Sequence, residues 1–327
     1  MRVLLLACCL VCLARAGAAA GEKSAPEQGT VCFTQAADED KTPQRYRLQN
    51  HTFSYQLAWT TALVGSEADV YHLRFPSPVQ SPCQENNTVH AEYYRPRGKG
   101  PFPGVIVLDI TAGNQDLSRM LSTNLASAKI AALFVQMAYY GPRRPAGSKL
   151  RMMSTDIEHS LEAIRQTVLD VRRASAWFAA RPEIDPRRLG IHGTSLGSFI
   201  GALAAEMEPR LNRVSLLLGG GGIVDAFYDH PQAEPYRKAW EEAGGTKEKL
   251  TALLAPVDPL TCAERLKQHR LLMIAGKRDE IVAPKMAEAL WQASGRQKIV
   301  WYDCTHVGAA LYVLPIMEHI VKHFRAD

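Results

Sequence analysis

The chain has 327 residues, 46% hydrophobic and 22% charged, with 23 Gly and 19 Pro, a balance that excludes a disordered, collagen-like or coiled-coil protein. Its formal charge of +5 is modest, and no run of Lys or Arg is dense enough to follow a phosphate backbone, so nucleic acid is not the expected partner.

Met1 and Arg2 precede an almost wholly apolar run, Val3 to Leu13, followed by the small residues Ala16 to Ala20. This order reads as a cleavable export signal over residues 1–20, cut after Ala18 or Ala20, and implies a secreted or periplasmic protein. Leu5-Leu6-Ala7-Cys8 loosely resembles a lipobox, but the apolar stretch before Cys8 is too short for a lipoprotein signal. No other stretch reaches the roughly 18 apolar residues that cross a bilayer, so stable membrane insertion is not expected. Loss of the leader removes Arg2 and Arg15, which lowers the charge from +5 to +3, and removes Cys8, Cys9 and Cys12 from the seven cysteines. Cys32, Cys83, Cys262 and Cys304 remain, an even count that suggests disulfides in an exported chain. Cys32 and Cys83 are the natural pair; Cys262 and Cys304 either meet at one end of a sheet or stay as buried thiols. Asn50-His51-Thr52 and Asn86-Asn87-Thr88 are glycosylation sequons, used only in a eukaryotic host.

Residues 21 to about 45 are polar and aperiodic and read as a loose N-terminus. Short β-type runs follow at Thr52 to Trp59, Val70 to Phe75 and Val89 to Tyr94. From Gly104 to Ile110 the chain is nearly continuously apolar, as a strand covered on both faces requires, and similar runs recur at Ala131 to Met137, Leu189 to His192, Val214 to Leu218, Leu271 to Ala275 and Ile299 to Tyr302. Between them, Leu161, Ile164, Val168, Val171, Ala174 and Phe178 recur at helical spacing. Leu196 to Met207, Lys285 to Ser294 and Ala309 to Phe324 are further helices, the last interrupted by Pro315. Residues 223 to about 260 form a small lid or a connector. The alternation predicts an α/β fold with a mostly parallel sheet and helices on both faces.

The run ending at His192 leads into Gly193-Thr194-Ser195-Leu196-Gly197, and a helix follows at once. G-x-S-x-G between strand and helix is the nucleophile elbow, whose flanking glycines are needed because a Cβ would collide with the neighbouring strand or helix. A serine needs a base, and the base an orienting acid; in this fold they follow in the order acid, then His. Asp279 and His306 lie just past strand ends, where open α/β sheets place their sites. Asp225 and Glu280 are rival acids. The developing oxyanion needs two donors, the Leu196 N–H and one from the loop after Gly104 to Ile110, with Ile110 favoured over Thr111. His192 reads as a packed strand-end residue, and His319 and His323 as a solvated helix end. No metal-ligand spacing appears, so no metal is implied.

From about residue 100 onward the chain resembles α/β hydrolases of the dienelactone hydrolase-like group, which includes acetyl xylan esterase-like proteins. The resemblance rests on VIVLDITAGNQ, AALFVQMAYYGPRRP, IHGTSLG, GKRDEIV and the His306 loop. It implies an α/β-hydrolase core over 101–327, preceded by an N-terminal extension with the first strands over 21–100. It also implies a triad of Ser195, Asp279 and His306 with an oxyanion hole at Ile110 and Leu196. Dienelactone hydrolases proper carry Cys where this chain has Ser195, which favours ordinary esters. Tyr140, Arg143 and Arg144 lie where the group places substrate contacts; they read either as ligands for a polar or anionic acyl group or as a solvated loop whose Arg residues pair with nearby carboxylates.

The expected activity is hydrolysis of a small or carbohydrate ester without a cofactor. An acyl-aminoacyl-type peptidase shares the fold and triad but usually carries a propeller, for which about 80 residues are too few. A non-catalytic binding protein would not need the intact Ser, Asp and His set.

Overall fold

A computed structural model describes residues 25–65, 67–111 and 115–326. The expected leader with Cys8, Cys9 and Cys12 lies outside the described residues, as do residues 112–114. Four strands come first: β1 (Glu27–Phe33), β2 (His51–Ala62), β3 (Ala68–Pro76) and β4 (Thr88–Pro96). Six more follow: β5 (Phe102–Leu108), β6 (Ala131–Val135), β7 (Ile184–Thr194), β8 (Leu211–Leu217), β9 (Arg270–Gly276) and β10 (Lys298–Tyr302). All ten form one sheet in the order β1-β2-β3-β4-β6-β5-β7-β8-β9-β10. Pairing is antiparallel from β1 through β4 to β6, and parallel from β6 to β10. The N-terminal strands thus extend the same sheet.

Burial explains the sequence patterns. Every residue of β5 and β6 is buried, as the unbroken apolar runs require. In β2, nearer the antiparallel edge, Phe53 and Leu57 are buried while Thr52, Ser54 and Gln56 are exposed, the alternation of a strand with one wet face.

The helices are α1 (Asp116–Ser127), α2 (Ile157–Ala179), α3 (Leu196–Met207), α4 (Ile223–Asp229), α5 (Glu234–Glu242), α6 (Lys247–Leu254), α7 (Pro284–Ala293) and α8 (Val313–Arg325). Because side chains alternate across a strand, Ile106 and Leu108 join the core formed with α2, α3 and α7. Val105 and Val107 face α1 and α8. Pro315 does not interrupt α8: it sits in the first turn, where its missing N–H would have had no helical acceptor. α1 lay hidden in a Ser- and Thr-rich stretch whose Ser118 and Ser122 are buried beside Leu121 and Leu125. β1 replaces the expected loose terminus; only Val31 and Phe33 of its side chains are buried, too few to mark a strand. The segment after β8 carries α4, α5 and α6.

The expected Cys32–Cys83 disulfide is corrected. All four described cysteines are free. Cys32 is on β1 and Cys83 in the loop before β4; those strands are three spacings apart, about 14 Å, against the roughly 7 Å that a disulfide spans between Cα atoms. Cys262 lies in a 3₁₀ segment, Pro259–Gln268, and Cys304 is buried beyond β10.

Two buried charge clusters tie the layers together. Arg172 of α2 pairs with Glu39 at 2.6 Å and Glu208 at 3.4 Å, and donates to the Tyr46 carbonyl at 2.6 Å, fastening residues 39–46 against the helix. Arg143 pairs with Asp170 of α2 at 2.8 Å, with both side chains fully buried. Such groups are tolerable because each has partners; removing one partner leaves a buried charge uncompensated.

His192 is fully buried between Ser215 Oγ (3.0 Å) and Thr194 Oγ1 (3.1 Å), a packed strand-end side chain as the sequence suggested. Burial pushes its pKa down to about 3, so it stays neutral where an unfolded histidine would gain a proton. Its contribution to stability is therefore complete above about pH 6.5 and is lost as the pH falls below that value. Glu206, buried with its carboxyl pKa raised by desolvation, pulls in the opposite sense, so the two are separated by mutation. Between pH 6.5 and 5, urea unfolding should show His192→Gln gaining about 2 kcal/mol relative to the wild type. A constant difference across that range would show that His192 is not held neutral.

Candidate active site

β7 ends at Thr194, and Ser195 follows with φ 52° and ψ −117° before α3 begins. A non-glycine residue at such a φ is strained. The turn closes because its flanks lack side chains. A Cβ on Gly197 would lie 2.4 Å from the Asp109 carbonyl and 2.6 Å from that of Leu108, and one on Gly193 would lie 2.0 Å from the Gly197 carbonyl. The Ser195 N–H donates to the Leu217 carbonyl at 2.8 Å, fixing the turn to β8. These contacts press the start of α3 against the end of β5, so the backbone carrying the Leu196 amide abuts the backbone carrying that of Ile110. Leu196 is the first residue of α3, where an N–H has no helical acceptor and meets the positive end of the dipole.

The loops after β9 and β10 are stitched together. Lys277 N–H donates to the Tyr302 carbonyl (2.8 Å) and Arg278 N–H to that of Cys304 (3.0 Å), and a Cβ on Gly276 would lie 2.8 Å from the Cys304 carbonyl. This brings Asp279 beneath His306. Asp279 Oδ1 accepts the N–H groups of Ile281 (2.9 Å) and Val282 (2.8 Å), while Oδ2 lies 2.8 Å from His306 Nδ1. His306 Nε2 lies 3.0 Å from Ser195 Oγ. The three residues thus form one hydrogen-bonded line with His306 in the middle, Asp279 almost fully buried and His306 only slightly more exposed.

The rival acids fall elsewhere. Asp225 is exposed and paired with Lys247 at 2.6 Å. Glu280 accepts the backbone N–H of His306 at 3.1 Å, and so holds its loop rather than its ring.

One of the three candidate substrate residues is corrected. Arg143 is fully buried; beyond Asp170 it donates to the Asn86 carbonyl at 2.8 Å and the Gln136 carbonyl at 2.9 Å. Its charge and donors are used inside the protein, so it does not reach a substrate. Tyr140 is half-buried, and its hydroxyl donates to the Thr111 carbonyl, tying it to the loop that carries Ile110. Arg144 is half-exposed. The Asn86 sequon is likewise closed: its side chain is buried, donating to Gln166 Oε1 at 2.6 Å and accepting the Tyr139 N–H at 3.0 Å. Asn50 is exposed.

Asp109 escaped the sequence reading. It is buried at the end of β5, accepts Ser118 Oγ–H at 2.8 Å and is approached by the Ile110 N–H, and burial raises its pKa. A carboxylate closing an otherwise apolar buried strand was the available signal. Among the described residues no cluster of His, Cys, Asp or Glu is arranged to hold a metal ion, and no helix is long and apolar enough to cross a membrane.

The geometry can be set beside known proteins. An acetyl xylan esterase from Thermoanaerobacterium sp. superposes with a TM-score of 0.62 at 19% identity, covering 81% of this chain and 87% of the other. Another from Paenibacillus sp. gives 0.65 at 19% identity, covering 82% and 88%. The chain has the α/β-hydrolase fold. A putative dienelactone hydrolase from Klebsiella pneumoniae aligns at a TM-score of 0.52 and 20% identity over 79% of this chain and 99% of that chain. Residues 160–304 match the sequence model of the prolyl oligopeptidase family, less than half of the chain. An uncharacterized protein of Mycobacterium tuberculosis is 25% identical over 157 residues, 47% of this chain and 36% of its own length. A second is 24% identical over 208 residues, 63% of each. The chain thus spans only about a third of the first curated relative it matches.

If Arg143 is a structural ion-pair partner, Arg143→Ala should destabilise the fold by about 3–5 kcal/mol in urea unfolding. Arg144→Ala should change stability by less than about 0.5 kcal/mol. Equal stability losses in the two variants would contradict this assignment.

Proposed function

We propose that this hydrolase is an exported serine esterase that cleaves carboxylic esters, of small molecules or acylated carbohydrates, through Ser195, His306 and Asp279. The observation that carries the reading is His306, within hydrogen-bond distance of Ser195 Oγ on one nitrogen and of Asp279 Oδ2 on the other. The leader-like residues 1–20 support export.

Ser195 Oγ attacks the ester carbonyl carbon while His306 Nε2 takes its proton; the carbonyl π electrons move to oxygen, which the Ile110 and Leu196 amides receive. As the tetrahedral centre collapses, the carbon–oxygen bond to the alcohol breaks and His306 returns the proton to the departing alkoxide. Water, deprotonated by the same nitrogen, then releases the acid and restores Ser195. Asp279 accepts the Nδ1–H, which leaves Nε2 free as the base and stabilises the imidazolium. Both Asp279 oxygens are already engaged, so its own orientation is fixed before substrate arrives.

The match to the prolyl oligopeptidase family over residues 160–304 favours one second reading, cleavage of an amide by the same residues. Esters and p-nitroanilides of the same acyl group separate the two.

With p-nitrophenyl acetate, Ser195→Ala and His306→Ala should each lower kcat by at least about a thousandfold, and Asp279→Asn by about 10³–10⁴-fold. Asp225→Asn should stay within about twofold. Absence of both turnover and fluorophosphonate labelling in the wild type would sink the serine-hydrolase reading.

A further inference from the structure

The apolar surface of the molecule is unevenly placed. Among the described residues, the large apolar side chains that stay exposed sit, with the exception of Val64 between β2 and β3, in segments leaving the C-terminal ends of parallel strands. That is the end of the sheet where Ser195, Asp279 and His306 meet. The densest group begins one residue after His306. Val307 and Leu311, in a 3₁₀ turn over Val307–Tyr312, and Leu314, at the start of α8, are 73%, 88% and 78% exposed. Ile281, two residues after Asp279, is 59% exposed. A folded chain gains by covering aliphatic side chains, and these are left open in the segments that carry His306 and Asp279.

The direction of the reaction says which half of the ester lies here. His306 Nε2 delivers the proton to the departing oxygen, so the alcohol side leaves past His306, while the carbonyl oxygen turns toward the Ile110 and Leu196 amides. We infer that this esterase takes esters of an apolar alcohol, whose chain lies over Val307, Leu311 and Leu314 as it departs. The inference rests on the ester-hydrolase reading and narrows it: a sugar hydroxyl would set polar groups against three aliphatic side chains and lose water without gaining partners. A second copy of the chain is a poorer occupant, because this handful of side chains falls short of the roughly 800 Å² per partner that a stable dimer buries.

The test varies only the alcohol. With methyl, butyl and hexyl acetate and xylose tetraacetate, followed by acid release, kcat/KM should rise at least about tenfold from methyl to hexyl. Hexyl acetate should also outrun the acetylated sugar. Val307→Ser combined with Leu311→Ser should lower the hexyl-to-methyl ratio by about tenfold, with a thermal midpoint near that of the wild type because neither side chain is buried. A flat series, faster turnover of the sugar ester, a ratio untouched by the double substitution, or a stable dimer that loses its association in the double variant would each overturn the inference. Failure of the underlying reading looks different: no ester is hydrolysed at all and Ser195 is not labelled by a fluorophosphonate.

Discussion

The site depends on two missing methyl groups. Gly193 and Gly197 allow the chain to reverse from β7 into α3 with their backbones touching, and the Gly197 Cα rests on the last carbonyls of β5. Any side chain there would separate three elements at once: the strand that ends in the serine, the helix whose first amide faces the site, and the strand whose following loop carries Ile110. The strain at Ser195 is the local cost of this crowding, and the packing of α3 between β7 and the α2 layer holds it in place.

Around that turn the parallel sheet acts as a ruler. Because β9 and β10 run in register beside β8, the loops leaving them are neighbours, and the hydrogen bonds from Lys277 and Arg278 to the carbonyls beyond β10 convert adjacency into contact between Asp279 and His306. Glu280 and Tyr140 contribute less visibly, one holding the His306 backbone and the other the Thr111 carbonyl. Neither touches the reacting atoms; each limits how far its loop can drift.

The parts of this arrangement that were legible in the sequence are those set by local pattern. Continuous apolar runs marked β5 to β10, and a Gly-flanked serine between strand and helix marked the elbow together with the collisions its glycines avoid. The meeting of Asp279 with His306 was expected from their positions after strand ends. What stayed hidden was set by distant neighbours. Arg143 sits in a loop that reads as polar surface, and only the fold supplies Asp170 from α2 and the Asn86 carbonyl to enclose it. Cys32 and Cys83 are close in sequence but separated by intervening strands. β1 and α1 bury so few apolar side chains that hydrophobic periodicity could not announce them.

The Arg172 cluster bears on where this protein can be divided. Its guanidinium belongs to α2, yet the carboxylate of Glu39 and the carbonyl of Tyr46 come from the stretch between β1 and β2, and β6 takes β4 as its outer neighbour. A fragment beginning near residue 101 would keep the serine, the aspartate and the histidine while leaving Arg172 with Glu208 alone of its two carboxylates and baring the flank of its sheet to other chains. The amino-terminal quarter therefore completes the sheet and the Arg172 cluster of the rest, and a cut at the apparent motif boundary would open both.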